Sequence, residues 1–393
     1  SSAASDVYKR QSFTELLGYQ VDGDEWKVMA LSAFDVDCGS HLEKIKSTYR
    51  LLDNGLLELD VNYYKAAILG QPNLYTENLV KLLDGRVGIK GEEPDQWHYS
   101  IARAMQIVFE EIAIHMLLNL YERTKLKNVV LGGGSFMNSV FDGKVIKNTP
   151  FENVYISHSP SDVGNSIGAA LYVAHNLKNE DRDTTFNSSY LGPSFSDEEI
   201  KKTLERRKII YKKVENIPKT VADILSRGEI IARFDGRMEF GERALGNRSI
   251  LADPRAKNIK DKINSIIKYR ESYRPFAPVV TQEKVCNYFE VSENFTCNYM
   301  EKVVQIKKDF HNELPAVTHI DGSGRVQTVN EKHNQSFYQI IKEFELLTGL
   351  PIVLNTSFNI AGEPVVLSPD DAISTFYNSG LEYLMIGSFL VKK

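Results

Sequence analysis

The chain is poor in the residues that would tie it to a surface or to a compartment outside the cell. It has three cysteines in 393 residues, Cys38, Cys286 and Cys297, with no C-x-x-C spacing. That excludes a disulfide framework and a cysteine zinc site, and it points to a reducing, cytoplasmic setting. No apolar run approaches the roughly 20 residues that a membrane-spanning helix needs. The first residues lack the apolar core of a signal peptide, so no leader is expected. A surplus of positive charge is missing too: the formal net charge is -5. Global attraction to nucleic acid or to an anionic membrane is therefore not expected, and an anion site has to be local. Neither internal repeats nor low-complexity tracts are visible. What is present, 42% hydrophobic and 25% charged residues, is the composition of an ordinary globular protein long enough for two domains.

The N-terminus begins at Ser1, and residues 6–11 read DVYKRQ. That hexapeptide resembles the translated end of a transposon used to build sequencing libraries. Residues 1–11 are therefore set apart from the fold as an expected artefact, with a longer natural protein upstream; the alternative is a short disordered tail. Beyond it, Ala102, Met105, Val108, Phe109, Ile112, Met116 and Leu120 recur at helical spacing, which predicts a core-facing helix over 94–125 opened by Pro94. NVVLGGGSF predicts a strand running into a glycine loop, SFMNSVFDGKVIKN a helix, NVYISH a strand and NSIGAALYVAHN a helix. This alternation predicts an α/β domain with a largely parallel sheet over 12–178. Residues 179–198 are polar and turn-rich and read as a linker. In the second domain, 199–393, EEIKKTLERRK reads as a charged helix, GEIIARFDGR as a strand entering a loop, and LPIVLNTSFN as a strand ending in polar residues.

Four constellations carry chemistry. DGRMEFGERALGNRSILADPR (235–255) and NSIIKYRESYRPFAP (264–278) place Arg237, Arg243, Arg248, Arg255, Lys268, Arg270 and Arg274 among glycines, prolines and aromatics. Their spacing makes no single helical face. Guanidinium forks match phosphate oxygens, and Gly236, Gly241 and Gly246 let backbone N–H groups approach an anion. The competing readings are a solvated charged face, against which Phe240, Leu245, Ile250, Leu251 and Phe276 argue, and a nucleic-acid groove. LNTSFNIAGEP puts Asn355, Thr356, Ser357 and Asn359 at a strand end, as phosphate or amide ligands or as plain turn residues. LGGGSFMNS (131–139) is a phosphate cradle or a tight strand-to-helix turn, without a P-loop or dinucleotide signature. In SHSPSDVGNSIGAA, Asp162 precedes a helix as its cap or as a metal ligand, and His158 reads as structural.

Taken together and in order, these motifs, with DGSGRVQTV (321–329), closely resemble the nodulation-protein and antibiotic O-carbamoyltransferase family from about residue 12 to the C-terminus. The resemblance implies a partial ASKHA domain (actin-like ATPase, RNase H-like) followed by a YrdC-like α/β domain with a twisted sheet. It implies that the second domain forms carbamoyl-adenylate from carbamoyl phosphate and ATP, and that the first passes the carbamoyl group to a hydroxyl of a sugar or other natural-product acceptor. Arg243, Arg248, Lys268, Arg270, Arg274 and Arg325 would take the phosphates. Asn355, Ser357 and Asn359 would hold a phosphate or the carbamoyl amide. Gly132, Gly133, Gly134 and Asn138 would hold nucleotide in the first domain. Asp162 matches the family's metal-ligand aspartate, which implies Fe2+ or another divalent metal there beside the Mg2+ of ATP.

Departures from the family pattern qualify this. The family's H-x-x-x-H metal motif has no counterpart, since no two of the eight histidines are four apart. GYQVDGDEWKVMALSAF resembles the segment that follows that motif. DGSGRVQT stands where the family has DGTARVQT, with Arg325 and Gln327 in place. Threonylcarbamoyl chemistry on tRNA is the nearest alternative, and the net charge of -5 disfavours its RNA surface. A non-catalytic nucleotide-binding regulator comes next, and an ASKHA sugar kinase, which leaves the arginine stretch unexplained, last. The expectation is thus split: adenylate formation in the second half, and a transfer half that is inactive or unstable. Residues 180–393 alone should catalyse carbamoyl-phosphate-dependent ATP–pyrophosphate exchange; a folded sample with no exchange contradicts the assignment.

Overall fold

A computed structural model describes residues 2–65, 73–182, 188–269 and 276–393, with side chains omitted over 2–8. The described chain forms two compact units, Ser1–Ile156 and Ser157–Lys393.

The first unit is organised by the helix Gln96–Thr124, whose 29 residues bury the predicted apolar row as far as Ile112; beyond it Leu117 is buried instead, with Met116 half-buried and Leu120 exposed. Asp95, not Pro94, is the cap. Its carboxylate accepts from the backbone of Trp97 and His98, and His98 reaches back to the cap backbone. The helix Ser2–Leu16 takes in part of the segment that the sequence reading sets apart, and Lys9 and Arg10 on it are buried. Strands β1 (Tyr49–Leu51) and β2 (Leu57–Leu59) form an antiparallel hairpin. Strands β3 (Asn128–Leu131) and β4 (Asn153–Ile156) pair in parallel, as the alternating pattern predicts. The helix expected over SFMNSVFDGKVIKN is instead three short turns, Gly134–Met137, Ser139–Asp142 and Val145–Asn148. The break falls at Asn138, whose φ of -78° and ψ of 80° are non-helical and whose side chain caps the next turn at Phe141.

The second unit is built on one mixed sheet. Its strands are β5 (Tyr211–Lys213), β6 (Ile231–Phe234), β7 (Arg248–Ala252), β8 (Ala277–Thr281), β9 (Lys302–Gln305), β10 (Ser323–Val329), β11 (Ile352–Ser357), β12 (Tyr383–Ile386) and β13 (Phe389–Lys392). Their order is β5-β13-β12-β6-β7-β11-β8-β10-β9, with β12/β6 and β10/β8 parallel and the other pairs antiparallel. The predicted charged helix is Asp197–Arg206, started by a Ser196–Glu199 capping box. Strands β6, β7 and β8 are buried along their whole length, so both faces of the sheet are covered.

The register decides what faces what. Arg233 lies opposite Ser249, Ser249 opposite Ser357, Asn355 opposite Ala277, and Gln327 beside Val279. Because side chains alternate, Arg233, Ser249, Ser357, Asn355, Gln327 and Arg325 all fall on one face. Phe234, Arg248, Ile250, Leu354 and Val280 fall on the other. The polar face is covered by the β6–β7 loop and by the helix Gln335–Thr348, whose Phe337 meets Gly246 of that loop. Gly246 has φ of +120°, and a Cβ there would lie 2.4 Å from Phe337 Cδ1. Gly246→Ala should therefore destabilise the fold by about 2–4 kcal/mol in urea unfolding, from backbone strain and overpacking together.

Candidate functional site

The β6–β7 loop carries most of the arginine-rich stretch, and its second half is held by its backbone. The Ala244 carbonyl accepts from Asn355 Nδ2 at 3.0 Å. The Leu245 carbonyl accepts from Gln327 Nε2 at 3.0 Å and from the Tyr190 hydroxyl at 3.1 Å. The amides of Leu245 and Asn247 both donate to Glu239 Oε1, each at 2.7 Å. The Gly246 amide donates to Ser249 Oγ at 3.0 Å, and its carbonyl accepts from Arg233 Nη1. The Asn247 carbonyl accepts from the Asp235 amide at 3.1 Å. Each backbone group from the Ala244 carbonyl to the Asn247 carbonyl is thus spoken for, mainly by side chains of the polar sheet face.

Asn355 and Gln327 lock each other as well. Gln327 Nε2 is committed to a carbonyl, so Gln327 Oε1 accepts from Asn355 Nδ2 at 3.2 Å. Asn355 Oδ1 is left buried with no hydrogen-bond partner among the described residues. Tyr190, Gln327 and Asn334 also line a pocket of about 170 Å3 with Asn298, Tyr299 and His333. A ligand in that pocket would touch the side chains that pin the loop.

The arginines divide by what they hold. Arg233 is fully buried and is spent on Gly246, Asn247, Asp235 and Ser336. Arg248 is fully buried on the opposite face, 3.7 Å over the Phe234 ring. Its Nη atoms donate to the carbonyls of Asp235, Asn247, Pro193 and Gly236 at 2.7–3.3 Å. Burial pushes its pKa down to about 10. Arg237 holds the Leu191 carbonyl at 2.7 Å, and Arg255 is paired with Asp253 at 2.7 Å. Arg325 donates from Nε to the Met300 carbonyl at 2.8 Å. Arg243 differs from all of these. It is half-buried, and desolvation lowers its pKa to about 10. Among the described residues no hydrogen bond, ion pair or ring contact engages its guanidinium.

A second cation stands at the end of β11. Lys268 is buried, and its ammonium donates to the Ser357 carbonyl, to Ser357 Oγ at 3.1 Å and to Asn359 Oδ1 at 2.6 Å. Ser357 follows Asn355 by two positions on the same face, roughly 7 Å along the strand. Arg243, next to the carbonyl that Asn355 holds, and Lys268, bonded to Ser357, are thereby anchored to one short stretch of β11. Arg270 and Arg274 lie outside the described residues.

The first-domain candidates are placed differently. Gly132, Gly133 and Gly134 follow β3 with open space where a side chain would stand, and Gly133 has φ of +108°. Asn138 is committed to Gln106, at 2.8 and 3.3 Å, and to its own cap. Asp162 is exposed in the short turn Asp162–Gly164 and makes no cap; Ser161 and Gly164 occupy the cap positions. Among the described residues no group of three His, Cys, Asp or Glu side chains is placed to hold a metal. A lone exposed carboxylate does not fit a structural or catalytic metal centre, and no step proposed below passes through one.

Sequence reading missed Glu239, Tyr190, Ser249 and Asn334. Glu239 left one signal, a carboxylate set between the apolar Met238 and Phe240 just before a glycine.

The comparisons with known proteins agree along the chain. The family model described as Carbamoyltransferase N-terminus matches residues 6–171, and Carbamoyltransferase C-terminus matches residues 222–393. Nodulation protein NolNO of Sinorhizobium fredii is 35% identical over 96% of this chain and 54% of its own length. Nodulation protein NolO of Bradyrhizobium diazoefficiens is 35% identical over 94% of this chain and 66% of its own. The chain thus spans between half and two thirds of the length of these curated relatives. Among solved structures, that of T. kodakarensis HypF matches at a TM-score of 0.31 and 18% identity, over 41% of this chain and 20% of that one.

The Glu239 carboxyl generates a pH prediction. Burial raises its pKa, against the opposing pull of the Asn247 and Leu245 amides and of Arg248. The folded state then binds more protons than the unfolded one above the ordinary glutamate value, so stability falls as pH rises through that window. Glu239→Gln, which keeps the accepting oxygen, should abolish that fall. Thermal unfolding of both proteins from pH 4 upward checks it, and parallel curves contradict it.

Proposed function

The chain belongs to the carbamoyltransferase family, and from that premise we propose that it forms carbamoyl-adenylate from carbamoyl phosphate and ATP and serves transfer of the carbamoyl group to a hydroxyl of a sugar or other natural-product acceptor. Both reactants are phosphate-bearing anions. Bringing them together requires fixed cations in a partly desolvated place, where each charge counts for more than in water. The observation that carries the reading is Arg243, a half-buried guanidinium with its donors uncommitted among the described residues, on a loop whose next stretch is bonded from the Ala244 carbonyl to the Asn247 carbonyl. Its fork suits a bidentate phosphate contact. Lys268, its ammonium donating to Ser357 and Asn359, supplies positive charge at the second end rather than a direct donor, and Arg270, Arg274 and Arg325 complete the phosphate set.

Two of the sequence candidates take other parts in this scheme. Arg248 closes the loop from beneath through its carbonyl contacts. Asn355 fixes the Ala244 carbonyl and so the position of Arg243. Water releases inorganic phosphate from carbamoyl phosphate, an oxygen of the resulting carbamate bonds to the α-phosphorus, and pyrophosphate leaves; negative charge shifts toward the leaving oxygens, and cations set in advance stabilise it without reorganisation. ATP brings Mg2+ as its counterion, which shares that charge. The glycines Gly132–Gly134 would cradle nucleotide for the transfer step, and Asp162, alone and exposed, is given no metal role in it. A cytoplasmic location suits the reduced cysteines.

Arg243→Gln and Arg243→Glu in the full chain test this. Carbamoyl-phosphate-dependent ATP–pyrophosphate exchange should fall by about 100-fold or more. The melting temperature should hold, because Arg243 supports no other described group. Retained exchange in the glutamate variant, or none from the folded parent chain, overturns the reading.

A further inference from the structure

The first half of the arginine loop is held by a segment to which neither the sequence nor the family resemblance gives that task. His158 Nδ1 lies 2.7 Å from the Phe240 carbonyl. A carbonyl can only accept, so Nδ1 carries the proton. The same ring stands edge-on to Phe240 at 6.3 Å and to Tyr299 at 5.4 Å. The His158 carbonyl lies 2.4 Å from where a Cβ on Gly241 would be, and Gly241 has φ of +130°. Three residues on, the Ser161 hydroxyl donates to the Glu242 carboxylate. Residues 240, 241 and 242 are therefore each met by the stretch His158–Ser161, and the next residue is Arg243.

Behind them, residues 189–193 make a further backbone contact. Phe240 donates to the Ser189 carbonyl at 2.7 Å and Met238 to the Pro193 carbonyl at 2.9 Å. From the other side, residues 244–247 are bonded to the sheet face. Arg243, whose guanidinium has no bond among the described residues, thus lies between two clamps.

Resting on the function proposed above, we infer that His158, with Ser161, is a positioning residue for carbamoyl-adenylate formation: it clamps Phe240–Glu242 and so fixes Arg243 where the phosphates bind. A loop ordered before the ligand arrives spares the entropy of ordering it on binding. Loosening the clamp weakens substrate binding in the ground and transition states alike. It raises the Michaelis constant and leaves turnover nearly unchanged. Asp162, read from sequence as a cap or a metal ligand, is the neighbour of this device and takes no part in it.

The test uses three full-length variants. His158→Phe keeps the ring edges and removes the N–H. His158→Asn places an amide N–H near the position of Nδ1. Ser161→Ala removes the second contact. For the phenylalanine variant, the Michaelis constant for carbamoyl phosphate in ATP–pyrophosphate exchange should rise about fivefold to tenfold, the worth of one neutral hydrogen bond. Turnover should stay within about twofold. Asparagine should restore most of the loss, and Ser161→Ala should move the constant in the same direction. Amide hydrogen exchange over residues 240–243 should quicken in His158→Phe and return in His158→Asn. A wild-type Michaelis constant in His158→Phe overturns the inference. So does equal impairment of the Phe and Asn variants with parallel falls in melting temperature, which would make the histidine plain packing. If the parent chain shows no exchange, the proposed function fails by itself. The clamp is then decided by amide exchange and by calorimetric affinity for pyrophosphate: weaker binding and faster exchange in His158→Phe support it, and equality with the parent overturns it.

Discussion

The backbone of residues 244–247 lies on a row of buried polar side chains, and the rest of the site depends on that contact. Arg233, Ser249, Gln327 and Asn355 reach it from strands that are far apart in sequence, and they share a face only because the register brings them there. Polar groups buried in a sheet are costly unless matched; a single unmet donor or acceptor costs about 1–3 kcal/mol. Here the loop backbone and the side-chain row satisfy each other. Neither is stable in this form alone, so the loop conformation and the strand register specify one another.

The same accounting separates committed guanidinium groups from an uncommitted one. Among the described residues Arg233 and Arg248 are the most deeply buried arginines, and both are consumed by carbonyls and neighbouring side chains. Burial makes a guanidinium look like part of a site, but one whose Nη donors are engaged has little to offer a ligand. Arg243 is less buried and, among the described residues, uncommitted, and desolvation already lowers its pKa to about 10. An incoming phosphate would relieve that penalty, whereas at Arg248 it would have to displace the bonds that close the loop. The sheet therefore serves as a scaffold that spends several polar groups to present one.

Much of this was legible in the sequence. Strands ending at Phe234 and Ser357, the long helix after Asp95 and the charged helix Asp197–Arg206 follow from hydrophobic period and residue type. The arginine stretch and LNTSFN are visible as motifs because residue type and glycine spacing mark them. What each arginine does is not visible, since whether a guanidinium is spent depends on carbonyls brought in from other segments. Arg248 and Arg243 are five residues apart and look alike in sequence; the β6–β7 register sends Arg248 to the Phe234 face. Glu239 escaped for the same reason, because its partners are backbone amides that carry no sequence signature. The broken helix after Gly134 escaped because the Asn138 side chain competes with the helical backbone.

In the proposed function, the loop locked at residues 244–247 presents Arg243 to phosphate. A crystal structure of the chain with ATP and carbamoyl phosphate tests it most directly, through the distance from the Arg243 Nη atoms to the nearest phosphate oxygen. The account predicts charge-assisted contacts of about 2.7–2.9 Å, with residues 244–247 unmoved from their present bonds. Phosphates bound elsewhere, with Arg243 turned to solvent or residues 244–247 released from the sheet face, would contradict it.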